Sequence, residues 1–256
     1  MQMTQNTILI TGGASGIGRA LAEAFHALGN QVIIAGRRQA LLNEVTTVNP
    51  GMMTSALDVS SASDIERFAA QVKRDHPALN VVIHNAGIMQ GEDVQNESVA
   101  TAEATIATNL LGPIRLNTAL LPLLLKQSQA TVMTVSSGLA FLPLVTTPTY
   151  SATKAAIHSY TQALRYQLKD TKVQVLELAP PYVQTELMGT QQASDPHAMP
   201  LKEFIAEVMS ILTSTPDATE ILVERVRPLR FAEANGGYNA FFKNFNDAMV
   251  AARIGR

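Results

Sequence analysis

Tyr150 and Lys154, in the stretch YSATK (150–154), are residue types at a spacing that could do proton chemistry. The wider run YSATKAAIHSY reads as the start of an amphipathic helix. Residues four apart on a helix share a face, so the two side chains are expected to point the same way. A free phenol titrates near ~10 and a lysine ammonium near ~10.4. A cation beside the phenol favours the phenolate and makes the tyrosine an acid or base usable near neutral pH. The same pair also occurs on helices that do no chemistry. The rest of the chain must supply partners and a place to act.

The first such place is TGGASGIG (11–18), which follows the β-rich run NTILIT (6–11) and precedes the helical spacing of GRALAEAFHALG. Gly12, Gly16 and Gly18 leave backbone without Cβ, so a pyrophosphate can approach the helix N-terminus, where unpaired N–H groups and the helix dipole favour negative charge. A glycine-rich turn between first strand and first helix predicts dinucleotide binding. About twenty residues on, the second strand ends in AGRR (35–38). Gly36 stands where a NAD site carries an acid for the ribose 2′-OH, and Arg37 and Arg38 follow. With no carboxylate to repel a 2′-phosphate and guanidinium groups to grip it, NADP(H) is expected over NAD(H).

The chain of 256 residues can bury one large core, and the β-rich runs NTILIT, QVIIAG (31–36), a third within 44–59, LNVVIHNAG (79–87), ATVMTVSSG (130–138) and KVQVLELAP (172–180) alternate with helical stretches. These runs are apolar throughout rather than alternating, as strands covered on both faces are. The expectation is an α/β fold, a Rossmann-type doubly wound parallel sheet with helices on both faces, in a single domain over 1–256. Net charge is only −2, so no nucleic-acid or acidic-membrane partner is expected. The absence of cysteine excludes disulfides and thiolate sites and is compatible with a cytoplasmic setting. The start MQMTQNTILITGG shows no leader pattern, and the greasy LNTALLPLLLK (116–126) is too short to span a bilayer. The five histidines show no metal spacing, so no metal is expected, and His158 is assigned a packing or hydrogen-bonding role.

With these motifs in place, the chain from about Asn6 to Thr185 resembles a single-domain short-chain dehydrogenase/reductase. Within that family it is most similar to the oxidoreductase group associated with D-alanyl-lipoteichoic-acid operons. TGGASGIG resembles the family's cofactor loop, with Ser15 and Ile17 beside the glycines. LDV (57–59) resembles the adenine-contacting segment, implying Asp58 and Val59. HNAG (84–87) is similar to the family's NNAG and implies Asn85, Ala86 and Gly87 along the cofactor channel, with His84 replacing an asparagine. TNLLGP (108–113) supplies Asn109, VSSG (135–138) the serine, and YSATK the family's Tyr-x-x-x-Lys.

The resemblance implies Tyr150 as acid/base and Lys154 as the group that lowers its pKa and holds the nicotinamide ribose. It implies Ser137 as the carbonyl-polarising serine and Asn109 as holder of a relay water. Family spacing selects Ser137 over its neighbour Ser136. The segment APPYVQT (179–185) departs from the family's Pro-Gly turn at Pro181, while Pro180, Val183 and Thr185 still match the part that meets the nicotinamide. Residues 185–228 read as a substrate-covering flap with a helix near 200–213, and Leu139, Tyr182, Leu187 and Met188 are expected to line it.

The implied activity is an NADP(H)-dependent oxidoreductase acting on a small carbonyl or alcohol. The alternative is a catalytically silent dinucleotide sensor, a class that typically loses the Tyr or Lys. A homodimer is expected through helices at 103–127 and 150–169, whose Leu110, Leu111, Leu116, Leu120, Leu121, Leu124, Ala155, Ile157, Tyr160 and Leu164 look like more apolar surface than one sheet face covers. The tail, 235–256, reads as a final helix without the strand ending that builds tetramers in the family.

Overall fold

Strands that are apolar at every position need cover on both faces, and the chain provides it by returning through a helix after each one. The structure, a computed structural model, describes residues 1–96 and 99–254. In order, β1 (Thr7–Thr11), α1 (Gly16–Ala27), β2 (Gln31–Gly36), α2 (Gln39–Val48), β3 (Met53–Ala56), α3 (Ala62–Asp75) and β4 (Val81–His84) form the first half. Helix α4 (Ala100–Ile106) then passes through a π turn (Ala107–Leu111) into α5 (Gly112–Leu124). The second half is β5 (Ala130–Val135), α6 (Pro148–Gln167), β6 (Val173–Leu178), α7 (Thr190–Ala193), α8 (Leu201–Ser214), β7 (Glu220–Ile221), α9 (Arg227–Arg230) and α10 (Tyr238–Ile254).

The sheet has seven parallel strands in the order β3-β2-β1-β4-β5-β6-β7. Two apolar clusters cover its faces. Ile8, Ile10, Ile34, Ile83 and Met133 meet Leu21 and Phe25 of α1 and Phe204 and Val208 of α8. Leu9, Ile33, Val82 and Val132 meet Phe68 of α3, Leu116 and Leu120 of α5 and Leu164 of α6. Strand order reverses between β1 and β4, and in open α/β sheets ligands bind beyond the strand ends at such a point.

Three sequence expectations change here. The flap assigned to 185–228 is too long. Phe204, Ile205, Val208 and Leu212 of α8 are buried in the core, and Glu220–Ile221 add a seventh strand beside β6. Residues 186–200, with the short α7, and the stretches on either side of β7 lie outside the sheet and α8. Strand β7 escapes a sequence reading because two residues carry no periodicity. The apolar surplus on α5 and α6 is also smaller than expected, since Leu116, Leu120, Leu124, Ile157 and Leu164 are buried within the chain itself. The tail does form a helix, α10, up to Ile254, and residues 255–256 fall outside the described part. Among the described residues, no helix is long and apolar enough to cross a membrane.

Candidate active site

The glycine loop is built by close backbone contact. Gly12 has φ +68°, and a Cβ on it would sit 2.9 Å from Ala86 Cα. A Cβ on Gly18 would meet Asn85 Nδ2 and the Gly12 carbonyl oxygen, both at 2.3 Å. Gly16 has φ +53°, a conformation that side chains disfavour. The loop is tied to the next strand end by Thr11, whose Oγ1 accepts from Asn85 N and Ala86 N, each at 3.1 Å. Asn85 Nδ2 donates to the Thr11 carbonyl at 3.0 Å. Ser15 takes the N-cap position of α1 without capping it, and its Oγ accepts from Arg38 Nη2 at 3.2 Å. The first N–H groups of α1, Ile17 among them, therefore have no side-chain cap from Ser15 and suit an anion.

Gly36 ends β2 with room around it, for a Cβ there would find its nearest atom, Leu42 Cδ2, at 4.0 Å. Arg37 and Arg38 are exposed beside it. Asp58 follows β3, with Oδ1 accepting from Ser60 N and Oγ at 2.9 and 2.7 Å. Val59 packs on Gly112 so tightly that a Cβ there would meet the Val59 oxygen at 2.6 Å.

At the ends of β4 and β5, four polar side chains converge from different elements. Asn109 sits in the π turn, a helical irregularity often found at functional sites. Its Oδ1 accepts from Ile88 N at 2.9 Å and its Nδ2 donates to the Ile88 carbonyl at 2.8 Å. Gly87 lies against both this amide and Lys154, for a Cβ on it would be 3.4 Å from Asn109 Oδ1 and 3.8 Å from Lys154 Nζ. Lys154 Nζ donates to the Val135 carbonyl at 2.8 Å and stands 5.4 Å from the Tyr150 ring centroid. Ser137 follows β5 and accepts from Leu139 N at 3.1 Å, and its hydroxyl acts to lower the pKa of the Tyr150 phenol. Ser136 points the other way, to the Leu178 carbonyl at 3.5 Å, which separates the two serines.

All four residues are buried. Burial pushes the Tyr150 phenol up to about 12, although the Ser137 hydrogen bond pulls against it. Burial also pushes the Lys154 ammonium down to about 8, opposed by the charge of Glu177. Burial is the first cause of the upward shift of the phenol, and the Lys154 ammonium turns towards the Val135 carbonyl.

The segment after β6 closes this crevice. Pro180 accepts from Gly138 N at 2.9 Å, so Pro181 leaves the turn intact. Val183 is buried and pairs with Met199. Thr185 abuts the glycine loop, its Cγ2 3.4 Å from where a Gly16 Cβ would be. Gln192, which no local pattern singles out, staples 186–200 to this segment. Its Nε2 donates to the Val183 carbonyl at 2.8 Å and to Thr185 Oγ1 at 3.1 Å, and its Oε1 accepts from Met188 N at 3.0 Å. Tyr182 donates to Asp195 at 3.2 Å, while Leu187 and Met188 are exposed and Leu139 is half-buried beside Ser137. Thr11 escapes a sequence reading for a similar reason, because a lone hydroxyl at a strand end has no local signature.

A doubly wound parallel sheet, a glycine cradle at its switch point and a buried Ser-Tyr-Lys-Asn set define a dinucleotide-fold oxidoreductase. The chain belongs to the short chain dehydrogenase family, whose pattern it matches over residues 6–196. It is 39% identical over 251 residues to the "uncharacterized oxidoreductase DltE" of Bacillus subtilis (strain 168), covering 96% of this chain and 98% of that protein. That likeness agrees with the subgroup suggested by the sequence motifs. A short chain dehydrogenase from Burkholderia cenocepacia J2315, solved in complex with NADP, shares the fold at TM-score 0.81, with 23% identity over 95% of this chain and 98% of that one. One from Burkholderia phymatum, solved with NAD, superposes at TM-score 0.80 with 18% identity, covering 92% and 95% of the two chains.

Proposed function

We propose that the protein is a cytoplasmic NADP(H)-dependent reductase or dehydrogenase of a small carbonyl or alcohol, with Tyr150 as acid/base. The observation that carries this reading is the convergence of buried Ser137, Tyr150, Lys154 and Asn109 at the strand ends beside the glycine cradle. A nicotinamide dinucleotide held by that cradle supplies or takes the hydride. Gly12, Ser15, Gly16, Ile17 and Gly18 receive its pyrophosphate, and Asp58, Val59, Asn85, Ala86 and Gly87 line the adenine and ribose side. Pro180, Val183 and Thr185 meet the nicotinamide end. With its phenol held protonated at neutral pH, Tyr150 is ready to donate a proton to a carbonyl oxygen, and Ser137 orients that oxygen. Lys154 holds the nicotinamide ribose and supplies positive charge next to the phenol. Asn109 holds the backbone of Ile88 and positions a relay water beside Lys154. Leu139, Tyr182, Leu187 and Met188 form the apolar side of the substrate space.

The two Burkholderia structures carry different dinucleotides, so the fold alone does not choose between them. Gly36, Arg37 and Arg38 favour the 2′-phosphate, and the hydrogen bond from Arg38 to Ser15 keeps one guanidinium over the cradle. NADPH is expected to bind at least tenfold tighter than NADH, about 1.4 kcal/mol. Gly36→Asp has room for its Cβ and restores the acid that contacts a free ribose, so it should reverse the order. Fluorescence titration of both cofactors decides the point, and equal affinities in the unchanged protein would sink the assignment.

The protein is also proposed to pair as a homodimer across α5 and α6. Their outer faces leave a groove of about 330 Å³ lined by Leu121, Pro122, Leu125, Tyr160 and Ala163. Light scattering at micromolar concentration should give twice 27.5 kDa, and a single-chain mass would refute the pairing.

A further inference from the structure

Glu177 is a wholly buried carboxylate to which neither the family motifs nor the proposed chemistry assigns a part. A charge in an apolar interior is tolerated only when paired, so its partners need an account. Four polar residues pair in register across the sheet: His84 with Thr134, Thr134 with Glu177, and Glu177 with Glu220. In-register neighbours on parallel strands share a face, and this row faces α6. Thr134 meets Thr161 there at 2.7 Å, and His158 Nδ1 lies 2.8 Å from Glu177 Oε2. The second oxygen, Oε1, is buried without a hydrogen-bond partner in the structure. Lys154 stands one turn before His158 on the same helix and feels the Glu177 charge.

We propose that Glu177 is the counter-charge of Lys154, a positioning residue that keeps the ammonium protonated beside Tyr150, and that His158 fixes the carboxylate for this task. The inference rests on the role given to Lys154 under the proposed function.

The charges facing Glu177 from each packed element fit this assignment. His84 on β4 is fully buried and its pKa is pushed down to about 4, so it stays neutral. Glu220 on β7 is already neutralised by Arg230 of α9, which donates to both its oxygens at 2.7 and 2.9 Å. Arg165 of α6 donates outward to the carbonyls of Val175 and Thr219. Lys154, His158 and Arg230 are then the cations near Glu177, and of these Arg230, although it also feels the Glu177 charge, already places its fork on Glu220. His158, Glu177 and Glu220 do bring ligand-type atoms within 4.8 Å of one another. The Arg230 fork on Glu220 fills that cluster with a protein cation, which argues against a metal there.

The sign of the effect follows from the charge. An opposite charge favours the protonated amine, so Glu177→Gln, which keeps the shape and removes the charge, should lower the Lys154 titration midpoint. An opposite charge at ~4–6 Å typically moves a pKa by 1–3, and a midpoint roughly one pH unit lower is expected. NMR of isotope-labelled lysine, with Lys154 assigned by Lys154→Arg, reads this without substrate or cofactor. The alkaline limb of NADPH-dependent reduction should move down in parallel. His158→Lys provides a second route, since a permanent ammonium on Glu177 should lower the same midpoint even if Glu177→Gln does not fold. A Lys154 midpoint unchanged in whichever of these variants folds overturns the inference. Because the titration needs no turnover, it stays informative if the assignment of Tyr150 fails, and that failure shows separately in Tyr150→Phe.

Discussion

Tyr150→Phe is expected to abolish most turnover while leaving the protein folded. The change removes one hydroxyl and keeps the ring, and even a hydrogen bond lost with that hydroxyl is worth only about 0.5–1.5 kcal/mol to stability. Ser137 keeps its bond from Leu139 N, so the strand end is not undone. The rate should fall by about 10² to 10⁴, the range that general acid–base groups contribute. Cofactor affinity should stay within a factor of about two, since the ring and the Lys154 ammonium beside it are both kept. The measurement is kcat on a carbonyl that the unchanged protein reduces, alongside circular dichroism and a cofactor titration. Near-normal kcat in this variant would show that another group carries the proton. The pH profile carries a related expectation. A phenol held up at about 12 stays protonated through the neutral range, so alkaline loss of reduction should begin where Lys154 loses its charge, at about 8.

The sequence discloses this site unevenly, for physical reasons. Gly12, Gly16 and Gly18 are legible because backbone approach leaves a local signature, and Tyr150 and Lys154 because helical spacing is local too. The strands are readable because burial on both faces makes continuous apolar runs. Glu177 is invisible as chemistry, since nothing along KVQVLELAP shows that its neighbours across the sheet are Thr134 and Glu220. Register is a property of paired strands, and one chain segment does not state it. Helix α8 reads as part of a flap because its apolar face fits a lid as well as a core, and only its contact with Phe25 and Ile10 decides the matter. Gln192 shows the same limit, because its three hydrogen bonds reach segments that a local pattern does not connect.

The largest structural effect should come from Gly18→Ala, a single methyl in the glycine cradle. Its Cβ would lie 2.3 Å from the Gly12 oxygen and 2.3 Å from Asn85 Nδ2, well inside contact distance. Neither neighbour can yield alone. The Gly12 oxygen is backbone, and Gly12 is itself pressed against Ala86 at 2.9 Å from its would-be Cβ. Asn85 is held by the Thr11 carbonyl and the Thr11 hydroxyl. The strain must therefore spread into the loop and into the start of α1, the surfaces proposed to receive the pyrophosphate. Overpacking of this kind costs about 1–3 kcal/mol, which for a chain of this size lowers the melting temperature by roughly 2–4 °C per kcal/mol. Dinucleotide affinity should fall at least tenfold with it, about 1.4 kcal/mol. Gly36→Ala is the matched comparison, because its Cβ would find its nearest atom at 4.0 Å. It should melt within about a degree of the unchanged protein, given the small surface effects expected where no clash exists. Thermal melts and fluorescence titration of both variants test the argument, and a Gly18→Ala protein with unaltered melting and affinity would show that the loop is looser than its contacts imply.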